Sequence, residues 1–162
     1  MAVVNVKSAG VTNQDANVAI NPFINGGGVK SGVGQLAATS GDSIGSTYRL
    51  LRIQSNARMV DLKLFNGAIT TCAGDIGLYR TAGDGGAVVS VAFFSAAKSL
   101  ASALTNTSVI GDNLITPAKR EQRLWQVLGL TADPAIYYDV VVTLTAAAGS
   151  AGTLGLDGEW VI

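Results

Sequence analysis

The stretch from Arg58 to Val89 constrains the fold most, because apolar and polar residues alternate there more densely than elsewhere in the chain. A period of two is typical of a β-strand with one buried face. One face of its first run carries Val60, Leu62 and Leu64, and the other carries Met59, Asp61, Lys63 and Phe65. Asn66-Gly67 then predicts a tight turn, since both residues tolerate a positive φ. A second strand over Asp75–Arg80 ends at the glycines of residues 83–86, so the stretch predicts a β-meander.

Three further segments have strand character. Tyr48–Gln54 is apolar on both faces, as expected for a strand buried between two layers. Tyr137–Thr145 and Thr153–Ile162 alternate and are joined by the small-residue loop AAAGSAG. Short alternating runs separated by some of the 20 glycines predict an antiparallel β-sandwich, and specifically a jelly roll.

Two segments have a helical pattern. Thr116 is a suitable N-cap, Pro117 a suitable first helical residue, and Gly129 stands where a left-handed C-terminal cap would lie. We therefore expect a helix over Pro117–Leu128. A second, short helix is expected over Ser95–Leu104, because apolar residues recur there at helical spacing. These residues are Phe93, Ala97, Leu100 and Leu104.

The N-terminal 46 residues lack a sustained period and are rich in Gly, Asn, Ser and Ala. This composition predicts an extended arm or irregular loops lying on a surface, either its own or a neighbour's. The segment Gly26–Gly32 lacks the spacing of a phosphate-binding loop, which favours a flexible loop over a nucleotide site. A chain of 162 residues fits one domain, with residues 1–46 as the arm and 47–162 as the sandwich.

The charge balance limits the possible partners. Eleven basic and eleven acidic residues cancel, so no overall field favours nucleic acid or an anionic membrane. Charged residues make up only 14% of the chain, well below the usual quarter. Either partners cover part of the surface or the surface is rich in small uncharged residues. The N-terminus lacks the pattern of a secretion signal, and Val140–Leu156 is too interrupted for a membrane span.

Catalytic and metal-binding motifs are scarce. There is no histidine, which excludes Ser-His and Cys-His nucleophilic systems, and Cys72 stands alone. Asp157 and Glu159 share a strand face, a spacing that a glycosidase could use, but acidic residues on an exposed sheet face are ordinary. We expect no enzymatic activity, no cofactor and no metal. The basic residues Lys119, Arg120 and Arg123 form either a solvated face or a partner-binding patch.

Four stretches carry a resemblance to a known family. They are RLLRIQSNARMVDLKLF, GDIGLYRTAGDGGAVV, LWQVLGLTADP and YDVVVTLTAAAGSAGTLGLDGEWVI. Together they resemble small structural proteins of tailed bacteriophages, similar to the cement or decoration proteins of capsids with an HK97-type shell. The likeness covers about Tyr48 to Ile162. It implies a jelly-roll sandwich without enzymatic activity that binds the outside of the major capsid protein lattice, but it implies no residue-level site.

Two other function classes stay open at this stage. A jelly roll can be a carbohydrate-binding module, for which exposed aromatic side chains would have to stack on sugars. The candidate platforms are Trp125, Trp160, Tyr79, Tyr137 and Tyr138. A structural protein of a phage tail or baseplate is the nearer competitor, because small phage β-domains serve in both places.

The resemblance also gives an expectation about partners. We expect a virion protein on the capsid surface, synthesised in the host cytoplasm, that contacts the major capsid protein and itself as a dimer or trimer. The N-terminal arm is the expected reaching element, and the basic residues of 119–123 are a secondary docking candidate. The candidate contacts are Val3, Val4, Val18, Ile20, Phe23, Ile24, Lys30, Lys119, Arg120 and Arg123.

Overall fold

The computed structural model of the chain describes residues 3–16 and 28–162, and nine strands lie within these ranges. They are β1 (Asn5–Lys7), β2 (Lys30–Ala38), β3 (Thr47–Gln54), β4 (Arg58–Asn66), β5 (Ala73–Arg80), β6 (Val88–Ser99), β7 (Leu104–Ser108), β8 (Tyr137–Ala146) and β9 (Gly152–Val161). Two short α-helices accompany them, α1 (Ala9–Asp15) and α2 (Leu124–Val127). Single 3-10 turns cover Ala82–Asp84 and Pro117–Lys119.

The strands form two sheets. One sheet has the order β2-β9-β4-β7, and the other has the order β1-β3-β8-β5-β6. From β2 to β9, consecutive strands enter the two sheets with the interleaved connectivity of a jelly roll, and all their pairings are antiparallel. Strand β1 is a short parallel addition at the edge beside β3. The expected antiparallel sandwich of the jelly-roll type is confirmed.

The core lies between the two sheets. Alternation correctly predicts the inward face of β8, which carries Tyr138, Val140, Val142 and Leu144. Strand β9 contributes Leu154, Leu156 and Trp160 from the other sheet. Burying such side chains provides the main stabilisation of a sandwich, at about 25 cal/mol for each Å² of apolar surface removed from water.

A β-bulge changes the expected face assignment of β4. Met59 pairs with Trp160 and Asp61 pairs with Glu159, so Val60 is an extra residue on β4. Met59 consequently joins the core while Val60 is exposed, the reverse of the strict alternation predicted above. Leu62 and Leu64 are buried as expected, because the parity is constant after the bulge.

The helix expected over Ser95–Leu104 is wrong. Residues up to Ser99 belong to β6, which bulges strongly against β5. Ser90 lies opposite Leu78 and Ser95 lies opposite Ile76, so four residues of β6 face a single residue of β5. The apolar residues of the segment happen to recur at helical spacing, whereas its valines and phenylalanines favour a strand.

The helix expected over Pro117–Leu128 is much shorter than predicted. Its ends are right: Thr116 precedes the 3-10 turn with Pro117 first, and Gly129 has a φ of 76° after α2. Residues 120–123 between them do not continue the helix. Instead the N–H groups of Leu124 and Trp125 donate to the carbonyls of Ala57 and Ser55, because docking α2 on the β3–β4 turn replaces the intrahelical bonds.

The N-terminal arm is also shorter than expected. Residues 30–38, placed in the arm by their irregular sequence, form β2 and pair with β9 over nine positions. The loop over residues 39–46 is held to the β8–β9 connection by the Gly41 N–H, which donates to the Ala148 carbonyl. Pairing with a distant strand stabilises β2 although its own sequence lacks a clear period.

Candidate functional site

The N-terminal residues that we expected to contact a partner lie on the sandwich of their own chain, as far as they are described. Val3 is 65% exposed, whereas Val4 packs against the core and its carbonyl accepts from the Thr47 N–H at 2.8 Å. Lys30 begins β2 opposite Trp160. The other expected contacts, Val18, Ile20, Phe23 and Ile24, lie outside the described residues. Of the expected apolar contacts that the structure describes, Val3 is thus the one with a largely exposed side chain.

Helix α1 is attached to β3 through Ser8 and Val11. The Ser8 hydroxyl donates to the Leu50 carbonyl at 2.7 Å and accepts from the Val11 N–H at 3.4 Å, which caps the helix. Val11 is 1% exposed and therefore fills a packed site rather than a free surface. This arrangement holds residues 8–15 on their own subunit.

Asp15 extends the attachment through charge. Its carboxylate accepts from the Lys7 ammonium at 2.7 Å and from the Arg52 guanidinium at 2.5 Å. Partial burial disfavours the ionised form, but the hydrogen bonds and charges of Lys7 and Arg52 outweigh it and hold the pKa of Asp15 below its usual value. The end of α1 is thus tied to β3 by an ion pair.

The same arginine belongs to a buried ionic network on the outer face of β3 and β8. Arg52 and Arg49 both donate to the carboxylate of Asp139, which is fully buried. On a regular strand, residues three apart point to opposite faces of the sheet. A bulge between Arg49 and Leu51 adds one residue, so Arg49 and Arg52 point to the same face. Arg49 also donates to the carbonyls of Arg80 and Gly86 at 2.8 and 3.0 Å, which fixes the loop after β5.

The sequence contained a signal for this network that we did not use. Asp139 lies in the otherwise apolar run Tyr137–Val142, and a carboxylate inside such a strand needs a cationic partner. The network links β1, α1, β3, β8 and the loop after β5 within one subunit. Its geometry supports a structural role.

The basic residues Lys119, Arg120 and Arg123, here called the basic cluster, lie in the long connection between β7 and β8. Lys119 is half-buried in its 3-10 turn, whereas Arg120 and Arg123 are exposed. Arg120 donates to the Val60 carbonyl at 3.1 Å. The structure therefore places all three on one connection, at the end of the sandwich where β3 turns into β4.

A cavity of about 270 Å³ lies beside Arg123. Its lining residues are Asn56, Arg58, Glu121, Arg123, Val161 and Ile162. Arg58 forms an ion pair with Glu121 across it. We had not assigned Arg58 to any site, because the cavity forms only when β4, β9 and the connection before α2 meet. We call this feature the arginine cavity.

The opposite end of the sandwich differs in charge. It is formed by the loops over residues 39–46, 67–72, 100–103 and 147–151, whose one charged residue is Asp42. Asp42 is buried and accepts from the Tyr48 hydroxyl. Burial and this hydrogen bond raise the pKa of Tyr48 well above its usual value. Recognition by charge is therefore available at the arginine-cavity end and not at the loop end.

The described residues offer little for chemistry. No group of three or more Asp, Glu, Cys or His side chains in the described ranges could hold a metal ion. Asp157 lies opposite Lys63 and Glu159 opposite Asp61 on the outer face of their sheet. Cys72 is buried, and burial raises the pKa of its thiol, which disfavours the reactive thiolate. No helix in residues 3–16 or 28–162 is long and apolar enough to cross a bilayer.

The aromatic residues considered as sugar platforms are mostly buried. Trp160, Tyr79 and Tyr138 are buried, and Trp125 is half-buried. Tyr137 alone among the five is largely exposed, at 48%. Stacking on a sugar needs an open aromatic face, so these five positions supply one platform.

Comparison with known proteins gives a fold-level relationship. No model of a known protein family matches the sequence, and no curated protein matches it. A chain in the capsid of Ralstonia phage GP4 matches with a TM-score of 0.57 and 15% identity, covering 98% of this chain and 97% of that chain. A chain of the cyanophage Pam1 capsid asymmetric unit matches with a TM-score of 0.51 and 12% identity, covering 85% and 88%. At these identities the similarity shows a shared fold.

Proposed function

We propose that this protein is a structural virion protein that binds the outer surface of a tailed-phage capsid as a cement or decoration protein. The observation that carries the proposal is the match to the capsid chain of phage GP4, which covers nearly the whole of both chains. The match thus involves the whole sandwich and is not confined to one sheet or one loop. The sequence resemblance to phage cement proteins supports the same role.

The proposed role requires contacts and no chemistry. A protein that binds only the assembled shell shifts the assembly equilibrium towards the shell by mass action. At a free concentration of 100 times the dissociation constant, this stabilisation is about 2.7 kcal/mol for each site. Bridging neighbouring major capsid subunits adds avidity, because a second contact becomes intramolecular once the first has formed.

The structure changes which residues we propose as contacts. Within the described part of the arm, α1 and β2 are attached to their own sandwich, so we no longer propose them as elements that reach a neighbour. Val18, Ile20, Phe23 and Ile24 remain proposed contacts from the sequence, and Val3 adds an exposed apolar side chain. The basic cluster supplies a second contact for acidic surface. Self-association as a dimer or trimer on the particle stays part of the proposal.

Capsids of the parent particle assembled without this protein provide the test. Adding the purified 162-residue chain should saturate a fixed number of sites per shell in a sedimentation assay and raise the temperature at which the shell ruptures. Unassembled capsid protein serves as the control and should bind much more weakly. If the protein binds intact shells saturably but does not raise their rupture temperature, it is a decoration protein and not a cement protein.

Immunogold labelling of intact virions separates the proposal from its nearest competitor. Label on the head supports a capsid protein, whereas label confined to the tail or baseplate would overturn the proposal. A glycan array addresses the carbohydrate-binding alternative, for which the structure offers one open aromatic ring, that of Tyr137. No binding above background is expected there.

A further inference from the structure

The arginine cavity presents two guanidinium groups at the same opening. Arg58 begins β4, and Arg123 directly precedes α2. Val161 and Ile162 also line the cavity. A planar guanidinium matches a carboxylate through two parallel hydrogen bonds, so two arginines around one cavity form a site for a carboxylate.

The chain already places one carboxylate in this cavity. Glu121 pairs with Arg58, but the Glu121 side chain is 85% exposed and that of Arg58 is 37% exposed. Ion pairs with such exposure contribute little stability, because water competes for both groups. Glu121 therefore shows which chemical group the cavity accepts and is held weakly enough to be displaced. Arg123 has no carboxylate within salt-bridge distance in the described ranges.

Asn56 gives the cavity a second polar group that lacks a partner within the described ranges. Its amide oxygen is buried and has no hydrogen-bond donor among the described residues. An unsatisfied buried acceptor is unfavourable, and a donor from a ligand would remove the penalty once the Asn56 amide turns into the cavity. A peptide segment with an acidic side chain carries both missing groups, a carboxylate for the arginines and a backbone N–H for Asn56.

We propose that the arginine cavity binds the carboxylate of an Asp or Glu in an acidic segment of a partner protein, and that Glu121 is the internal competitor that this carboxylate displaces. That the partner belongs to a capsid shell rests on the function proposed above. The cavity itself and its preference for an acidic peptide do not depend on that identification. Lys119 and Arg120 of the basic cluster directly precede Glu121 in the chain.

The proposal predicts that substitutions of neighbouring cavity residues change the affinity for shells in opposite directions. Arg58→Gln and Arg123→Gln should each weaken binding to shells about fivefold, which corresponds to losing one good ion pair. Glu121→Gln should strengthen binding about threefold, because the competitor is gone while the shape is kept. Lys63→Gln is the matched control, since it removes a half-exposed positive charge on the outer sheet face and should leave the affinity unchanged.

A peptide titration tests the cavity without the shell. Backbone amide resonances of the full chain are followed by NMR while acetyl-tetraglutamate amide is added, with the tetraglutamine peptide as control. Shifts at residues 56–58, 121–123 and 161–162 that occur only with the acidic peptide and vanish in the double variant Arg58→Gln, Arg123→Gln support the site. An unchanged unfolding midpoint of that double variant shows that its fold is intact.

The outcomes separate the two proposals. If the peptide shifts the cavity residues but the protein binds no shell, the cavity stands and the capsid function fails. If the protein binds shells, yet the arginine variants bind like the unsubstituted chain and the peptide causes no shifts at the cavity, the cavity proposal is overturned alone. Glu121→Gln binding more weakly than the unsubstituted chain would also overturn it, since Glu121 would then be a ligand-contacting or structural group.

Discussion

Arg52 donates two hydrogen bonds to Asp139, from Nε to Oδ1 at 2.7 Å and from Nη2 to Oδ2 at 3.2 Å. The pair is nearly shielded from water, with side-chain exposures of 7% for the arginine and 0% for the aspartate. Charges in such surroundings depend on each other, because removing one leaves the other desolvated without compensation. The sandwich is therefore expected to be sensitive to the loss of the Asp139 charge.

Asp139→Asn should lower the free energy of unfolding by about 3 kcal/mol, the usual cost of removing one partner from a buried ion pair. Two arginines, Arg49 and Arg52, lose their common acceptor in this variant. Urea unfolding with an unchanged slope measures the difference. Asp157→Asn is the matched control on the other sheet, where the half-buried carboxylate should contribute less than about 0.5 kcal/mol. A loss below about 1 kcal/mol for Asp139→Asn would contradict the prediction.

The strand plan could be predicted from sequence because it depends on local alternation, and β3, β4, β5, β8 and β9 all lie where alternation and Gly-rich turns place them. Bulges could not be predicted. A bulge forms in response to a partner strand, so the outward turn of Val60 and the shared face of Arg49 and Arg52 depend on pairings that no local pattern contains.

The candidate site was predicted only in part for a similar reason. Exposed charges such as Arg123 are visible in the sequence, but the cavity also needs Arg58 and Ile162, which are distant in the chain. The strand β2 was missed because its pairing with β9, and not its own composition, makes it a strand. Contacts between distant segments decided both cases.

Val11→Ala tests whether the N-terminal helix is held on its own subunit. Val11 is 1% exposed, so its truncation should destabilise the protein by about 2 kcal/mol through lost burial and a residual cavity. Val3→Ala is the control, because Val3 is largely exposed and should change stability by less than about 0.5 kcal/mol. Thermal or urea unfolding distinguishes the two. Equal effects would mean that residues 8–15 do not pack on β3 in solution.

Acid should release α1 before it unfolds the sandwich. The Asp15 pKa is lower in the folded state than in the unfolded chain, because Lys7 and Arg52 stabilise its ionised form against the opposing effect of burial. The Asp15 carboxylate therefore contributes stability above its unfolded pKa of about 3.9, and this contribution is lost as the pH falls through the folded value. Hydrogen exchange at α1, corrected for the intrinsic rate, should accelerate below about pH 4.

Asp15→Asn separates this effect from general acid unfolding. The variant lacks the titrating group, so exchange at α1 should be faster than in the unsubstituted chain at pH 7, by about two- to fivefold for an ion pair of this exposure. Its protection should then stay constant where that of the unsubstituted chain falls. A variant that keeps the full acid response of α1 would show that another carboxylate controls it.

Gly77→Ala should be among the most destabilising single-methyl additions in this chain, because the β6 bulge brings backbone directly over Gly77. A Cβ at this position would lie 2.1 Å from the Val91 carbonyl oxygen and 2.2 Å from that of Ser90. Neither oxygen can rotate away as a side chain could, so β6 would have to shift and the buried Phe93 and Phe94 with it. We expect the free energy of unfolding to fall by about 3 kcal/mol, at the upper end of the usual cost of overpacking.

Gly83→Ala is the control, since a Cβ there meets no atom within 4 Å and φ is not in the left-handed region. Its unfolding midpoint in urea should match that of the unsubstituted chain, and a Gly77→Ala midpoint equally unchanged would show that the bulge does not press on β5.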